Sequence, residues 1–504
     1  MTTKKNIAYL LLGSLVTLIS CELDYAPENT LVDEKVYKNE RTAEAALMGN
    51  YVRLNVFMAG APQDQNNYAN TGYTYQLGDL TTENFAIREN MTGYLAIEKG
   101  EFSSTEHDGV LKNIWYWGYN AIDFSNNIIT GIPRYGQYDE AIERQHIAEA
   151  KFIRAYVYFY LLAAYGDQAL LGNEQGDGVV LNLEPYNGYN PDETSGRSSN
   201  AAVWEQIIQD LEDAIADLPT NVPDTKSRIR ANKAVAQALL SRVYLYKGTF
   251  TNNQTELGQA RDLAKKVLDT KGYTFSKSST EFSTALFPSN EYSQSGSYPD
   301  PTTRSNELIF YQPSRLYADD YPSGLNYYRK NSLYVPSTMK NLYEENDVRR
   351  TYLIWRGSQS DNVKDSTTMK YSGGEYNDVI YIRLAEVKLT YAETLVRTEN
   401  EVSEEAVSHL NDVHLRAYPD DMKPALYTTA DFPTVESFLK EVLKERNREL
   451  AYEGHYRWDL MRTNNLLGDQ KLGAIDKAKW NLPVSDYEIR ISDNKIKQNT
   501  GFAN

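Results

Sequence analysis

Small and large apolar residues alternate at helical spacing in segments that follow one another in pairs along the chain. The paired segments are residues 42–57 with 115–129, 148–159 with 204–218, 234–242 with 260–268, and 385–396 with 406–413. Small residues at every third or fourth position let two helices approach closely, and the larger residues pack on the next pair. The pattern therefore predicts a mainly α-helical protein built from stacked helix hairpins.

Three long inserts separate these helical segments: residues 59–105, 166–200 and 275–379. Each is rich in Gly, Pro, Asn, Ser and Tyr, a composition typical of loops, and short strands such as residues 307–311 fit within them. A length of 504 residues would by itself suggest several domains. Because the helix pairs recur along the whole chain, we instead predict one domain over residues 21–504. It would be a tetratricopeptide-like superhelix carrying long irregular loops.

The N-terminus has the layout of a secretory signal peptide. Two lysines precede an apolar stretch at residues 7–19, which is too short to span a membrane, and the only cysteine follows at position 21. A cysteine at this boundary resembles the bacterial lipobox, in which Cys21 would be acylated after removal of residues 1–20; a chance cysteine behind an ordinary signal peptide is the alternative. Glu22 and Asp24 resemble the surface-export signal of Bacteroidetes lipoproteins. We expect a lipid-anchored protein on the outer face of the outer membrane.

The composition excludes several kinds of site and disfavours one class of partner. Cys21 is the only cysteine, so the chain cannot form an internal disulfide, and the same count excludes a thiolate zinc site and a cysteine nucleophile. The formal net charge is -17 and no basic cluster occurs, so nucleic acid is not an expected partner. The chain has 40 Tyr against 14 Phe and 6 Trp. Tyr combines an apolar face with a polar tip. We therefore expect tyrosines in helices to pack in the core and tyrosines in loops to suit partly hydrated binding surfaces.

No recognisable catalytic motif is present. The five histidines do not form an HExxH pattern, and neither a Gly-x-Ser-x-Gly turn nor a phosphate-binding glycine loop occurs. Two of the 69 acidic residues could form a glycosidase dyad, but no spacing singles out a pair. We therefore expect a protein that is not an enzyme and has no catalytic site, no metal site and no cofactor.

Several motifs occur in the order found in one known family. They are EAKFIRAY at residues 149–156, DLEDAIADL at 210–218, RLAEV at 383–387, ERNRELAYEG at 445–454, RWDL at 457–460 and QNTGF at 498–502. In these motifs the chain resembles the SusD/RagB family of outer-membrane nutrient-uptake lipoproteins. The resemblance implies a tetratricopeptide-like superhelix with an irregular ligand-binding face and no enzymatic activity. It also implies a partner, a SusC-type TonB-dependent outer-membrane transporter, to which oligosaccharides or peptides are delivered.

The ERNRELAYEG motif places three carboxylates at helical i, i+4 spacing: Glu445, Glu449 and Glu453. Such a row could form a metal or acid–base site. The alternative, which we favour, is a framework of ion pairs with Arg457 and Arg462, with Gly454 as the C-cap of the helix. A catalytic motif would be expected on exposed loops rather than on a helix face.

The first and third inserts supply the candidate ligand-binding residues. A sugar offers C–H faces that stack on aromatic rings and hydroxyl groups that need polar partners. The candidates that combine these properties are Tyr73, Tyr75, Phe85, Arg88, Asn90 and Tyr94 in the first insert, and Tyr317, Tyr321, Tyr327 and Tyr328 in the third. In glycan-binding members of the family that the chain resembles, the ligand lies near these two regions.

The class of ligand remains open at this point. The first insert has no Trp, where starch-binding family members have one, and this disfavours starch. Residues 186–190 (YNGYN) are similar to a segment of the peptide-binding RagB branch, so peptide capture is an alternative to glycan capture. A third possibility is a structural lid on the transporter with little ligand affinity of its own.

Overall fold

The computed structural model describes residues 33–60, 73–79, 81–87, 98–104, 108–188, 195–287, 304–312, 333–353, 355–356, 366–368, 370–371 and 378–502. The predicted signal peptide at residues 1–20 and the predicted lipidation site Cys21 lie outside these ranges.

Helices dominate the described part of the chain. They are α1 (Asp33–Tyr37), α2 (Glu40–Ala59), α3 (Tyr73–Leu77), α4 (Asp108–Tyr135), α5 (Glu140–Tyr165), α6 (Asn200–Asp217), α7 (Lys233–Thr249), α8 (Gln254–Leu268), α9 (Ser337–Asn341), α10 (Val348–Leu353), α11 (Leu384–Glu399), α12 (Glu404–Arg416), α13 (Val435–Leu450), α14 (Tyr456–Arg462), α15 (Gln470–Ala474) and α16 (Asp486–Ile491). The strands are β1 (Ala86–Ile87), β2 (Leu308–Gln312), β3 (Leu333–Tyr334), β4 (Trp355–Arg356), β5 (Ser366–Thr367) and β6 (Val379–Arg383).

The long helices pack as a continuous series of neighbours. Helix α2 packs on α4, α4 on α5, α5 on α6, α6 on α7, α7 on α8, α8 on α11, and α11 on both α12 and α13. The four helix pairs expected from the apolar pattern are therefore confirmed. This stacking is consistent with a tetratricopeptide-like superhelix, in which each pair buries its face on the next.

The α7–α8 pair shows why the small residues matter. Ala260 and Ala264 of α8 are completely buried, and the hydroxyl of Ser241 on α7 donates to the carbonyl oxygen of Ala260 at 2.7 Å. A larger side chain at either alanine would hold the helices too far apart for this contact. Each helix also begins with an asparagine N-cap, Asn232 for α7 and Asn253 for α8.

Tyrosines inside the helices belong to the core. On α5, Tyr156 and Tyr160 stack with ring centroids 5.1 Å apart, and both rings are buried together with Tyr165. The hydroxyl of Tyr165 donates to the carbonyl oxygen of Leu111 at 2.8 Å, which gives the buried polar tip a partner. Packing is thus the role of these helical tyrosines, as the sequence predicted.

Strands form three small antiparallel pairs within the described residues: β1 with β3, β2 with β6, and β4 with β5. Strand β2 covers the region expected from the sequence to be extended, and Leu308 lies opposite Arg383 of β6. Because β6 leads directly into α11, this pair fastens the third insert to the helical scaffold.

Candidate functional site

The first and third inserts are joined by the β1–β3 ribbon. Ala86 pairs with Tyr334 and Ile87 pairs with Leu333, in antiparallel register. The hydroxyl of Thr338 adds a bond to the carbonyl oxygen of Glu83 at 3.2 Å. Because the strands are antiparallel, the chain leaves β1 and enters β3 at the same end of the ribbon. The two inserts that carry the candidate ligand-binding residues are therefore attached to one point of the fold.

Most of the candidate residues flank this ribbon in sequence and lie outside the described residues. Arg88, Asn90 and Tyr94 follow β1, whereas the third-insert candidates precede β3; these are Tyr317, Tyr321, Tyr327 and Tyr328. Tyr73 and Tyr75 belong to α3, and their side chains lie outside the described part of the protein.

Phe85 occupies a different place from the one expected. Its side chain is 1% exposed, and its ring centroid lies 4.5 Å from that of Tyr452. A ring with so little exposed surface is not available to stack on a ligand, so Phe85 packs in the core next to β1. The sequence could not show this, because Tyr452 is more than 360 residues away in the chain.

The base of the first insert is fixed by hydrogen bonds to the ERNRELAYEG segment. The side-chain amide of Asn84 donates to Asp79 at 2.8 Å and to Asn447 at 2.7 Å. The hydroxyl of Tyr452 donates to the carbonyl oxygen of Asn84 at 2.9 Å. Burial raises the pKa of Asp79 to about 7, although the bond from Asn84 acts in the opposite direction. The carbonyl oxygen of Gly78 accepts from the amide of Arg457 at 2.6 Å.

The base of the third insert is held by the same segment. The ammonium group of Lys370 donates to the carbonyl oxygens of Glu449 and Ala451, both at 2.9 Å, and to the carboxylate of Glu453 at 2.6 Å. The hydroxyl of Tyr343 donates to the carbonyl oxygen of Arg448 at 2.9 Å. Residues 445–454 therefore form a common foundation for both inserts.

Buried ion pairs make up the centre of this foundation. The carboxylate of Glu449 receives Arg349 at 2.9 Å, Arg383 at 2.5 Å and also Arg416. Burial by itself would raise the pKa of Glu449, but Arg416, Arg383 and Arg349 outweigh burial and lower it to about 2. Glu445 receives Arg349 at 2.6 Å. These groups are almost completely buried, so each charge depends on its partners.

The predicted ion-pair framework exists, but its predicted partners were wrong. Arg462 pairs with Glu393 at 2.6 Å and with Asp459 at 2.7 Å, and a guanidinium nitrogen of Arg457 donates to the carbonyl oxygen of Trp480. The arginine and lysine partners that come from outside α13 are Arg349, Lys370, Arg383 and Arg416. Three of them lie between residues 349 and 383 and the fourth ends α12, so no helical spacing relates them to α13.

Gly454 is not the C-cap of α13 either. The helix ends at Leu450 with Ala451 as its C-cap, and Tyr452 and Gly454 then adopt φ values of 64° and 79°. The backbone of Gly454 lies directly against Gly78, where an added Cβ would be 2.1 Å from the carbonyl carbon of Gly454. Two glycines thus allow the first insert to approach the foundation closely. Glu453 reaches the ion cluster from this turn and not from the helix face.

The cluster has no arrangement suited to metal binding or acid–base catalysis. Glu445, Glu449 and Glu453 are each bonded to arginine or lysine side chains. In the described ranges, no group of three or more His, Cys, Asp or Glu side chains is placed to hold a metal ion. The arrangement can hold two loop-bearing inserts in a fixed position, which is a structural task.

Comparison with known proteins identifies the family. A model of the SusD family matches residues 251–502, which is half of the chain. The chain belongs to the SusD family. A second SusD-like family model, described as starch-binding and associating with the outer membrane, matches residues 32–245. The family resemblance drawn from the sequence motifs is therefore confirmed.

Individual SusD relatives are distant but cover nearly the whole chain. SusD-like protein P2 of Formosa agariphila is 24% identical over 547 aligned residues, covering 99% of this chain and 100% of the relative. A SusD superfamily structure from Bacteroides thetaiotaomicron has a TM-score of 0.71 at 23% identity, covering 91% of this chain and 99% of the other. A laminarin binding SusD-like protein has a TM-score of 0.65 at 22% identity, covering 92% and 100%. The fold is thus that of the SusD superfamily.

In the part of the chain that the structure describes, no helix is both long enough and apolar enough to cross a bilayer. Association with the outer membrane appears in the description of one of the two matching families.

Proposed function

We propose that this SusD-family protein is a cell-surface lipoprotein that captures a neutral oligosaccharide or polysaccharide and delivers it to a SusC-type TonB-dependent transporter. The observation that carries the proposal is the β1–β3 ribbon, which attaches the two tyrosine-rich inserts at one point. Two of the matches support a glycan as the ligand: the family model described as starch-binding and the laminarin binding SusD-like structure. The protein would act by binding alone, without a cofactor and without catalysis.

The proposed site lies where the inserts continue beyond the ribbon. Arg88, Asn90 and Tyr94 supply polar groups and a ring from the first insert, and the third supplies Tyr317, Tyr321, Tyr327 and Tyr328. Rings and amides without a basic cluster suit a neutral sugar better than a polyanion. The buried foundation below the ribbon would keep the site preorganised, which reduces the entropy lost on binding.

The site is tested by calorimetry on residues 22–504. The protein is titrated with neutral polysaccharides, which include laminarin and starch, and with a peptide pool. Tyr94→Ala and, separately, Tyr321→Ala or Tyr327→Ala should each weaken glycan binding by about 1–3 kcal/mol if the ring is a central anchor. Tyr116→Ala on α4 is the matched control, because this ring is 53% exposed and lies in a helix outside the inserts. Binding should change little between low and moderate salt, since stacking is only weakly screened.

Each result has a defined meaning. Wild-type affinity in all three insert variants would contradict the proposed site. Binding of peptides with no binding of any glycan would contradict glycan capture and favour the peptide alternative. Absence of any ligand affinity in the folded wild-type domain would favour a structural lid.

The proposed lipid anchor is tested separately. One or two acyl chains on Cys21 bury many CH₂ groups at about 0.8 kcal/mol each, which is enough for stable anchoring. Cys21→Ala should therefore shift the protein from the membrane fraction to the soluble fraction. A processed Cys21→Ala variant that remains membrane-bound would contradict the anchor.

A further inference from the structure

Helix α12 carries an open groove of about 510 Å³ along one side. Residues 423–429 form a wall of this groove, and Lys277, near the start of the third insert, also lines it. Ligand pockets in proteins commonly measure about 300–1,000 Å³, so the groove is large enough for a small ligand. The lining residues from α12 share one face of the helix, because they follow i, i+3 and i+4 spacing. They are Glu404, Val407, Ser408, Asn411, Asp412 and Leu415.

The loop wall of the groove is fixed on α12 by two reciprocal hydrogen bonds. The side-chain amide of Asn411 donates to the carbonyl oxygen of Tyr427 at 2.8 Å, and its side-chain oxygen accepts from the amide of Tyr427 at 2.9 Å. Asn411 is buried, and its side chain satisfies both backbone polar groups of Tyr427. The groove therefore has its shape before a ligand arrives, which reduces the entropy lost on binding.

The lining favours an aliphatic ligand over a sugar. Tyr427 is the aromatic residue among the described lining residues, but its ring contacts those of His414 and Phe432, with centroids 5.0 and 5.5 Å away. A ring packed on two other rings has less of its face left for a sugar. Leu415 and Leu426 also line the groove, and Leu426 is 63% exposed. These side chains can contact an apolar side chain of a ligand.

The negative charge that lacks a counter-charge lies at the start of the helix. Glu404 is in the first turn of α12, and it forms no ion pair with any residue that the structure describes. Asp412 and Arg416, which also line the groove, both have partners. Asp412 pairs with Lys388 at 2.7 Å, and Arg416 pairs with Glu307 at 2.7 Å. The acidic end of the groove is therefore at Glu404.

Two lysines supply positive charge toward the other end of the helix. Lys423 follows α12 and pairs with Asp420 at 2.6 Å, but this carboxylate is 93% exposed, so the pair is weak. Lys277 follows Phe275, whose ring centroid lies 4.7 Å from the guanidinium carbon of Arg416, the last residue of α12. Within the described ranges Lys277 has no ion-pair partner. The groove thus has an acidic end and a basic end.

We propose that this groove binds a short peptide with free termini, with its amino group at Glu404 and its carboxylate at Lys277 and Lys423. Glu404 and Leu415 are about 16 Å apart along the helix axis, a distance that an extended chain of about five residues covers. Aliphatic side chains of the peptide would contact Leu415 and Leu426. The inference is independent of glycan capture, which is proposed for other residues. Its backbone groups would meet the hydroxyl groups of Ser408, Thr428 and Thr429.

Titration calorimetry on the full-length protein tests the groove with the pentapeptide Ala-Leu-Ala-Leu-Ala and with its N-acetylated and C-amidated forms. Each modification removes one terminal charge and should weaken binding at least fivefold. Glu404→Gln should weaken binding of the free peptide by a similar factor and leave that of the N-acetylated form unchanged. The variant Lys277→Met/Lys423→Met should have the same effect on the free peptide and none on the C-amidated form. This pairing of peptide and protein changes assigns each terminus to its end of the groove.

Glu436→Gln on α13 is the matched control, because its carboxylate is 64% exposed and does not line the groove. It should leave the affinity for all three peptides unchanged. Peptide binding should weaken several-fold between low and moderate salt, since exposed charge pairs are screened, whereas glycan binding should change little. Thermal melting shows whether each variant is folded.

The outcomes separate this inference from the proposed function, because glycan binding is measured on the same samples. Absence of binding of the free peptide to folded wild type at millimolar concentration overturns the groove. Equal affinity for the free and the modified peptides overturns it as well, because the charged ends would then play no part. Loss of peptide binding in Tyr94→Ala and Tyr321→Ala, with unchanged binding in the groove variants, would assign peptides to the inserts. Loss of glycan binding in the groove variants would make the groove part of the glycan site.

Discussion

The α7–α8 pair and the foundation at residues 445–454 are both buried, yet they are held together by opposite chemistry. Alanines bring α7 and α8 together, and Ala260 and Ala264 expose none of their surface. The foundation instead buries Glu449 among three arginines. Apolar contact is non-directional and needs only the correct volume, whereas an ion pair in the interior needs defined geometry.

The difference matches the tasks of the two regions. A repeat scaffold needs helices that stack at a regular distance, and small residues achieve this. At the bases of the first and third inserts, directional bonds from Lys370, Tyr343 and Asn84 fix these segments on the scaffold.

Loss of the central carboxylate should have the largest effect. Glu449→Ala leaves Arg349, Arg383 and Arg416 without a shared counter-charge, and we expect a loss of about 3–5 kcal/mol in the free energy of unfolding. Urea denaturation measures this loss. The matched control is Glu436→Ala on the same helix, whose carboxylate is 64% exposed and pairs with Lys440; it should change stability by less than about 1 kcal/mol. Equal effects of the two variants would contradict the central role of Glu449.

A pH-dependent effect is expected for Asp79. Its pKa is raised to about 7 by burial, so the folded state retains a proton that the unfolded state releases near pH 4. Stability contributed by the protonated form is therefore lost as pH rises from about 4 to 7. Asp79→Asn should be more stable than wild type by a few kcal/mol at pH 8 and nearly equal to it at pH 4.

Thermal melting across this pH range checks the prediction for Asp79. The lowered pKa of Glu449 makes the same contribution to the stability of wild type and of Asp79→Asn, so this contribution cancels in the difference between them. A difference in stability that does not depend on pH would show that Asp79 has an ordinary pKa.

Overpacking of the helix contacts should have a smaller effect. Ala238→Leu on α7 or Ala392→Leu on α11 inserts three carbons into a buried contact and should cost about 1–3 kcal/mol. Gly258→Ala on α8 is the control, because the added Cβ would meet no atom within 4 Å beyond its own stretch of helix backbone. This control should be neutral or slightly stabilising. Unchanged melting of both leucine variants would argue against close-packed hairpins.

The smallest effect is expected at the exposed end of α13. Thr434 accepts the amide of Ser437 at 3.0 Å, and the side chain of Ser437 accepts the amide of Thr434 at 3.2 Å. Thr434→Ala should cost about 1 kcal/mol, as expected for a lost N-cap. Denaturant unfolding measures the loss of stability. A loss as large as that of Glu449→Ala would show that the stability of this region depends on the whole helix and not on the ion cluster.

The sequence alone determined the local features of this SusD-family protein. The spacing of residues such as Ala238, Ala260 and Ala392 predicted the helix pairs correctly, because side chains three or four positions apart share a face whatever the rest of the chain does. The ERNRELAYEG motif likewise predicted a charged framework. Tertiary structure alone decided which cations Glu449 contacts, that Phe85 packs on Tyr452, and that the first and third inserts share the β1–β3 ribbon. These contacts join residues from about 30 to more than 360 positions apart, and no local periodicity encodes a pairing over such distances.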